Sequence, residues 1–506
     1  MAFTLNELLA NLPGVQVLGA GDGEIRELVY DSRRVQPGDM FVAIKGQHSD
    51  GHDHIAQAIA RGAAAVVVDE RHWHAGERDA RVPHLVVANS RAALGPLAAA
   101  VAGWPGRQLR VVGITGTKGK STTSELTAQV LESAGGRSGM IGTVDFKIGA
   151  RRWANDTRQS TPEAPEVQAL LSEMVAAGCA YAVIEATSHA LSASWDRLAG
   201  CDFDVAVFTN LGHEHLDYHG SFAQYRRDKM RLFEMLAAGR PVAGQVRRAI
   251  ANADDPNHAF FLQAAPASAQ RLRYAIASDA EIRAGELRSG PAGSSFRVDG
   301  DWGSRQVRLA LPGSFNVYNA LAALSVALSE GLPLEAACAA LERVPAVRGR
   351  MERIDAGQPF TVIVDYAHNP DSFEQVMAML RPLTAGRIIA VFGSAGERDR
   401  EKRPIQGEIA ARYCDLLVLT DEDPRGEDPA AILAEIAAGV GRRPCLQIAD
   451  RAAAIRAAFQ EAQAGDMVLL LGKGHEGSII YADHSRPWNE SAEARAALAE
   501  MGYRPR

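Results

Sequence analysis

Short runs of β-branched and other apolar residues alternate with helix-length amphipathic stretches through most of the 506-residue chain. Between residue 1 and about 107, the runs 25–30, 64–68 and 85–87 read as strands and 53–61 and 90–103 as helices, which predicts a small α/β domain. Thr4 and Glu7 have the spacing of a capping box and predict a short first helix. The cluster Gly103-Trp104-Pro105-Gly106 marks a boundary. Beyond it the apolar runs 111–114, 181–184 and 205–208 are separated by helical stretches, the pattern of a mainly parallel sheet. Shorter strands are predicted at 272–275, 296–298 and 307–311, ahead of a long alanine-rich helix that opens at Pro312-Gly313-Ser314 and runs to about 329. From about 344 the runs 361–364, 388–392, 416–419 and 468–471 alternate with helical stretches such as 371–380 and 429–437, which predicts a doubly wound sheet. The expected fold class is therefore α/β in three domains, 1–107, 108–343 and 344–506, the last two being a central P-loop sheet and a Rossmann-like sheet.

Composition narrows the function classes. Hydrophobic residues at 47% and charged residues at 23% are those of a soluble globular protein, and a net charge of -7 gives no basic footprint for nucleic acid. Five cysteines without a CxxC pair suggest neither a disulfide framework nor a zinc ribbon and fit a reducing cytoplasm. No apolar run approaches the ~18 to 20 residues of a membrane span, and the first 13 residues lack the basic and apolar regions of a signal peptide.

The chemistry concentrates at the ends of the predicted strands. In VVGITGTKGKSTT (111–123) an apolar run turns through Gly113, Gly116 and Gly119 into Lys120-Ser121-Thr122 and a helix. Glycines let backbone N–H groups approach phosphate oxygens, the helix N-terminus favours anions, Lys120 adds a point charge, and Ser121 or Thr122 offers a hydroxyl to Mg²⁺. The first glycine falls one position early, so this is a variant P-loop. Glu185 ends the next strand, and Thr209-Asn210 ends the one after, leading into His213, His215 and His219. Strand ends on one edge of an open sheet converge on a ligand crevice, where a carboxylate and an imidazole can hold a metal. Mg²⁺ suits that set, zinc would want four N or S ligands with no cysteine near, and a plain polar loop remains open. Lys229 reads by itself as a solvated helix charge. Asn316 and Asn319 share a helix face and can read a base edge or cap the helix. In the last domain, polar loops follow all four strands: 365–370, 393–400, 421–425 and 472–476. Four in phase on one sheet edge are hard to explain as solubilising turns.

Together TGTKGKST (115–122), NLGHEHLDYH (210–219), Lys229, NADDP (252–256), Asn316 with Asn319, VRGRME (347–352) and DYAHNPDS (365–372) resemble, in order and along essentially the whole chain, the Mur ligases. DSRRVQPGDMFVAIKG (31–46), DEDPRGEDP (421–429) and LGKGHE (471–476) resemble the branch that adds a diamino acid to UDP-N-acetylmuramoyl-L-alanyl-D-glutamate. Folylpolyglutamate synthase shares the ATP core but is not expected to carry these three motifs.

The resemblance implies a cytoplasmic, monomeric, ATP- and Mg²⁺-dependent peptide ligase of cell-wall precursor synthesis, working through an acyl phosphate. It places ATP at Thr115, Gly116, Thr117, Lys118, Gly119, Lys120, Ser121, Thr122, Asn319, Arg350, Asp365 and His368. It places the UDP-muramoyl dipeptide at Tyr30, Ser32, Gln47, His48, Ser49, Ser160, Thr161, Thr187 and Arg197. Mg²⁺ falls to Ser121, Glu185, His215 and Lys229, the last as a carbamate (N6-carboxylysine), with Lys120, Lys229, Glu185 and His215 as the catalytic set. The amino acid falls to Arg398, Asp423, Pro424, Arg425, Gly472 and Glu476, and pivots fall near 104–107 and 343–347. Arg425 suits a bidentate grip on the distal carboxylate of meso-diaminopimelate. Asp423 replaces the asparagine of the diaminopimelate pattern, and a carboxylate there repels a distal carboxylate or attracts the distal ammonium of ornithine or lysine. Lys118 also replaces a frequent asparagine, and the segment from His189 to Arg197 is longer than the family form.

Overall fold

The structure, a computed structural model, describes residues 3–504 except 11–13, 20–22, 47–48, 74–78, 134, 158, 213–215 and 239–244. Its three main sheets have five, eleven and six strands. Contacts group the chain into two compact units, 1–283 with 300–302 and 318–337, and 284–299 with 303–317 and 338–506.

The first unit begins with the capping box expected from Thr4 and Glu7, on helix Leu5–Leu9. The five-stranded sheet follows in the order Gln16–Leu18, His84–Val87, Ala65–Asp69, Met40–Val42, Leu28–Val29. The run 25–30, read as one strand, is two. Glu24–Ile25 pairs with Phe3–Thr4, while Leu28–Val29 pairs with Met40–Val42. Arg26 sits at the switch: its N–H donates to the Gly38 carbonyl and its guanidinium to Asp39, so the chain changes partner there.

This part is docked on the larger sheet by close approach. Helix Ser90–Val101 lies along Ala164–Ala176, and a Cβ on Gly95 would come within 2.6 Å of the Ala199 carbonyl oxygen. At the boundary Trp104 has φ +55°, Gly106 touches the Cys201 carbonyl with no room for a Cβ, and Arg107 pairs with Asp202 at 2.9 Å. The expected pivot region at 104–107 is a turn held by these contacts.

In the large sheet the strands Arg137–Ile141, Cys179–Glu185, Arg110–Thr115, Val205–Phe208, Arg248–Asn252 and Gln270–Ala275 lie side by side and parallel. Every residue of the Arg110–Thr115 and Val205–Phe208 strands is buried, because helices cover both faces of a parallel sheet. Register places Glu185 opposite Ile114 and Phe208 opposite Thr115, so the polar residues that follow these strands share one edge.

In the second unit the strands Thr361–Asp365, Met467–Leu471, Ile388–Phe392 and Leu416–Leu419 are adjacent and parallel, as their apolar runs predict. Glu352–Ile354 and Cys445–Gln447 flank them. One face packs on Phe373, Met377 and Ile436, the other on Ile455, Phe459 and Leu498, which leaves the loops after the four strands on one edge.

Candidate active site

The P-loop is built by backbone that only glycine allows. Gly116 has φ +151° and Gly119 φ +85°, and a Cβ at either would run into Thr209 Oγ1 or Asn319 Oδ1. Helix Lys120–Glu132 starts directly after, so the N–H groups of its first turn face the loop. The loop is held from the neighbouring strand end. Thr117 N–H donates to Asn210 O at 2.7 Å, Lys118 N–H to Asn210 Oδ1 at 3.0 Å, and Thr209 Oγ1 to Lys118 O at 2.7 Å. NADDP (252–256) fastens that strand end in turn: Asn252 Nδ2 donates to Thr209 O, and Asp255 accepts from Leu211 N–H.

Two ammonium groups converge on one carbonyl. Lys120 Nζ donates to Gly116 O at 3.0 Å and to Thr117 O at 2.9 Å, and Lys229 Nζ donates to the same Gly116 O at 2.6 Å. Lys229 is 1% exposed and lies 4.6 Å from the centre of the Tyr225 ring, so it is not the solvated helix charge its local sequence suggests. Two cations on one oxygen repel each other, and an anion between them, or conversion of one into an anion, relieves the repulsion.

Glu185 is also 1% exposed. Its Oε2 accepts from Thr143 Oγ1 at 2.7 Å and from Ser121 Oγ at 3.2 Å, and its Oε1 from Thr143 N–H at 3.0 Å. The Ser121 hydroxyl and the Glu185 carboxylate form an all-oxygen donor pair beside the phosphate loop, a set suited to Mg²⁺ rather than zinc. Among the described residues no group of three His, Cys, Asp or Glu is close enough to hold a metal. His215, with Gln47 and His48, lies outside the described residues. His219 has both ring nitrogens engaged, Nδ1 with Asp228 at 2.6 Å and Nε2 with Ser188 Oγ at 3.0 Å.

Thr161, Thr187 and Arg197 meet next to Glu185. Thr161 Oγ1 donates to the Glu185 carbonyl at 2.6 Å and lies 3.3 Å from Thr187 Oγ1, while Arg197 Nη1 donates to the Thr161 carbonyl at 3.0 Å. Trp195 lies against both Arg91 and Arg197, and both arginines pair with Glu163. The long segment after His189 thus does bring its arginine to this edge. Ser160 is half-buried beside Thr161. Further out, Tyr30 Oη donates to Glu166 and Ser32 Oγ to Gln57, both at 2.8 Å, and Ser49 accepts from Gly46 N–H through its carbonyl. Asn319 accepts from Thr123 Oγ1 at 3.2 Å behind Gly119.

The second unit carries its own polar edge. Asp365 accepts from Met351 N–H and Ala367 N–H, both at 2.8 Å, and burial pushes its carboxyl up against the opposing pull of Arg350. Arg350 lies over the Tyr366 ring, His368 Nδ1 is 2.9 Å from the Tyr366 carbonyl, and burial beside Arg350 and Arg348 pushes His475 well below the usual imidazole range. Arg398 is exposed. Arg425, at φ +55°, donates its N–H to Ile480 O at 2.9 Å, and its buried Nε has no hydrogen-bond partner among the described residues. Asp423 follows Glu422 and precedes Pro424, whose carbonyl leaves no room for a Cβ at Gly396. A Cβ at Gly472 would come within 2.8 Å of Glu422 Oε2. Glu476 accepts from Tyr366 Oη at 3.3 Å and from the fully buried Lys473.

Reading the sequence missed Thr143, and gave no role to Tyr225 or to Lys473 within the 472–476 loop. Thr143 follows Arg137–Ile141, a strand whose polar start hides it, although a Gly-Thr pair at a strand end was the available signal.

Comparison with known proteins gives the following. Three family profiles match in chain order: "Mur ligase family, catalytic domain" at 24–102, "Mur ligase middle domain" at 114–327, and "Mur ligase, glutamate ligase domain" at 349–474. The chain is 61% identical, over 99% of each sequence, to a UDP-N-acetylmuramyl-tripeptide synthetase of Roseiflexus sp. (strain RS-1). It is 41% identical, over 98% of this chain and 99% of the relative, to a UDP-N-acetylmuramoyl-L-alanyl-D-glutamate--2,6-diaminopimelate ligase of Geobacillus kaustophilus. A solved structure of a ligase of that second name superposes with a TM-score of 0.70 at 29% identity, covering 99% of this chain and all of the other.

Proposed function

The chain belongs to the Mur ligase family, and from that premise we propose that it uses ATP to join a diamino acid, meso-diaminopimelate, to UDP-N-acetylmuramoyl-L-alanyl-D-glutamate. The observation that carries the reading is the meeting of Lys120, Ser121, Glu185 and Lys229 around the Gly116 loop. The assigned segments are 1–107 for the uridine nucleotide, 108–343 for ATP and 344–506 for the amino acid. The ligands are small molecules, with a single chain as the working form and the cytoplasm as its place. Among the described residues no helix is long and apolar enough to cross a membrane.

In this reading the P-loop N–H groups and Lys120 hold the ATP phosphates, and Thr161, Thr187 and Arg197 orient the dipeptide so that its carboxylate oxygen faces the γ-phosphorus in line. That oxygen forms the new P–O bond as the bond to ADP breaks. The amine nitrogen of the incoming amino acid then attacks the acyl carbon, loses a proton, and phosphate leaves. Ser121, Glu185, His215 and a carbamylated Lys229 would hold Mg²⁺, which would offset phosphate charge. Carbamylation would turn one of the two crowded ammonium groups into an anion and so relieve the repulsion between them. Asn319, Arg350, Asp365 and His368 are assigned to the nucleotide, and Tyr30, Ser32 and the 47–49 loop to the uridine end.

Arg425 supports meso-diaminopimelate, because its buried Nε and planar fork suit a distal carboxylate. A second reading, L-ornithine or L-lysine, is favoured by the carboxylate at Asp423. Phosphate release from ATP with the UDP-muramoyl dipeptide, run in parallel with each amino acid and without any, decides between them. Release with diaminopimelate alone supports the first reading, release with ornithine or lysine alone replaces it with the second, and amine-independent silence in every arm removes the ligase.

A further inference from the structure

We propose that Lys473, rather than residue 423 alone, sets the charge preference of the amino-acid subsite. The inference rests on the ligase reading above and concerns which distal group, carboxylate or ammonium, the subsite accepts.

Lys473 is fully buried, and its Nζ donates to Asp423 Oδ1 at 2.9 Å and to Glu476 Oε2 at 2.6 Å. An ammonium stripped of water persists only when its charge is met, so one cation here is held by two carboxylates. Those carboxylates sit on the loops that also carry Arg425 and Gly472. Asp423 Oδ1 accepts from Ile480 N–H at 2.9 Å, and Arg425 N–H donates to the carbonyl of the same Ile480 at 2.9 Å. Ile480 therefore ties the Asp423 carboxylate and the Arg425 backbone, separated in the chain by Pro424, to one point. Asp423 acts there as half of an ion pair, not as a bare negative charge facing the substrate. The structure brings in its own counter-charge, so an aspartate at this place is compatible with a ligand carboxylate on Arg425. Removing the ammonium would make the cluster of Lys473, Asp423 and Glu476 one charge more negative beside Arg425, a change that disfavours a distal carboxylate and favours a distal ammonium.

The test uses the full-length protein, its Lys473→Met and Asp423→Asn variants, and the double variant. The quantity compared is the ratio of kcat/KM for meso-diaminopimelate to that for L-ornithine. One unit charge about 8 Å away in an effective dielectric of about 20 is worth roughly 30-fold in that ratio. Lys473→Met is expected to lower the ratio by about that factor, Asp423→Asn to raise it, and the double variant to return to within about threefold of the wild type. A merely structural Lys473 would lower both kcat/KM values together and leave the ratio in place. Ratios unchanged in both single variants, or shifted in the same direction, overturn the inference. If Lys473→Met turns over neither amine, Asp423→Asn and the double variant decide on the same criteria. Wild-type turnover with unmoved variant ratios removes this inference alone. Wild-type silence with every amine removes the ligase reading and the inference with it.

Discussion

Thr143 offers the sharpest test of how the Glu185 carboxylate is held. Its hydroxyl and its backbone N–H each donate to Glu185, at 2.7 and 3.0 Å, while Ser121 adds a longer contact at 3.2 Å. Thr143→Val keeps the shape and the backbone donor but removes the hydroxyl. A hydrogen bond to a charged group contributes about 1.5–3 kcal/mol. If that energy is what fixes the carboxylate in its working orientation, kcat falls by roughly 10- to 100-fold. The assay is ATP-dependent phosphate release at saturating dipeptide and amino acid, with circular dichroism as the check on folding. Thr143→Ser restores the donor and is expected to recover most of the rate. A valine variant with wild-type kcat, or a serine variant as impaired as the valine one, refutes the reasoning.

Lys229→Ala is expected to abolish turnover while leaving the fold intact, and a short carboxylic acid in the buffer to restore part of the rate; unchanged activity removes the carbamate from the mechanism. Gly116→Ala drives a Cβ into Thr209 Oγ1 at φ +151°, so phosphate release should fall at least about 100-fold, and a near-normal rate would show that the loop can yield. Burial pushes Asp421 up to about 6 from an ordinary value near 3.8, so between these pH values the folded chain holds a proton that the unfolded chain has released. Stability is then lost as pH rises through that window and stays lowered above it. Asp421→Asn should leave the urea midpoint unchanged near pH 4 and add about 1–2 kcal/mol at pH 8, and an equal effect at both would exclude this origin.

What the sequence disclosed follows from which physical signals are local. Buried parallel strands are nearly pure apolar runs, so 205–208, 388–392 and 416–419 could be read to the residue. The P-loop was legible because glycine and lysine spacing reflects backbone geometry. Helices Lys402–Tyr413 and Arg451–Glu461 were not, because each buries an arginine where the apolar pattern wants a hydrophobe. Arg403 is met by Glu427 and Glu435, and Arg451 by Glu490 and the Leu471 carbonyl, partners up to 39 residues away. The hairpin Asp145–Ile148 with Arg151–Ala154 hid for the same reason, its buried Lys147 being paired with Glu132 and its buried Asp145 with Arg152. Lys229 shows the limit most plainly, since neither Tyr225 nor the Gly116 carbonyl marks it as buried until the chain is folded.

The turn at 104–107 bears on how the first unit would meet a long ligand. With Gly106 seated on Cys201, Arg107 tied to Asp202 and Gly95 pressed on Ala199, the segment that carries Tyr30 and Ser32 is joined to the sheet of the Gly116 loop by three separate contacts. If Tyr30 and Ser32 grip one end of the ligand as proposed and the contacts hold in solution, the other end is presented at a set distance. A muramoyl peptide one residue too short or too long would then bind and still fail to bring its carboxylate to the loop, which competition without turnover would reveal. Length would then be selected in addition to the contacts that Thr161, Thr187 and Arg197 make.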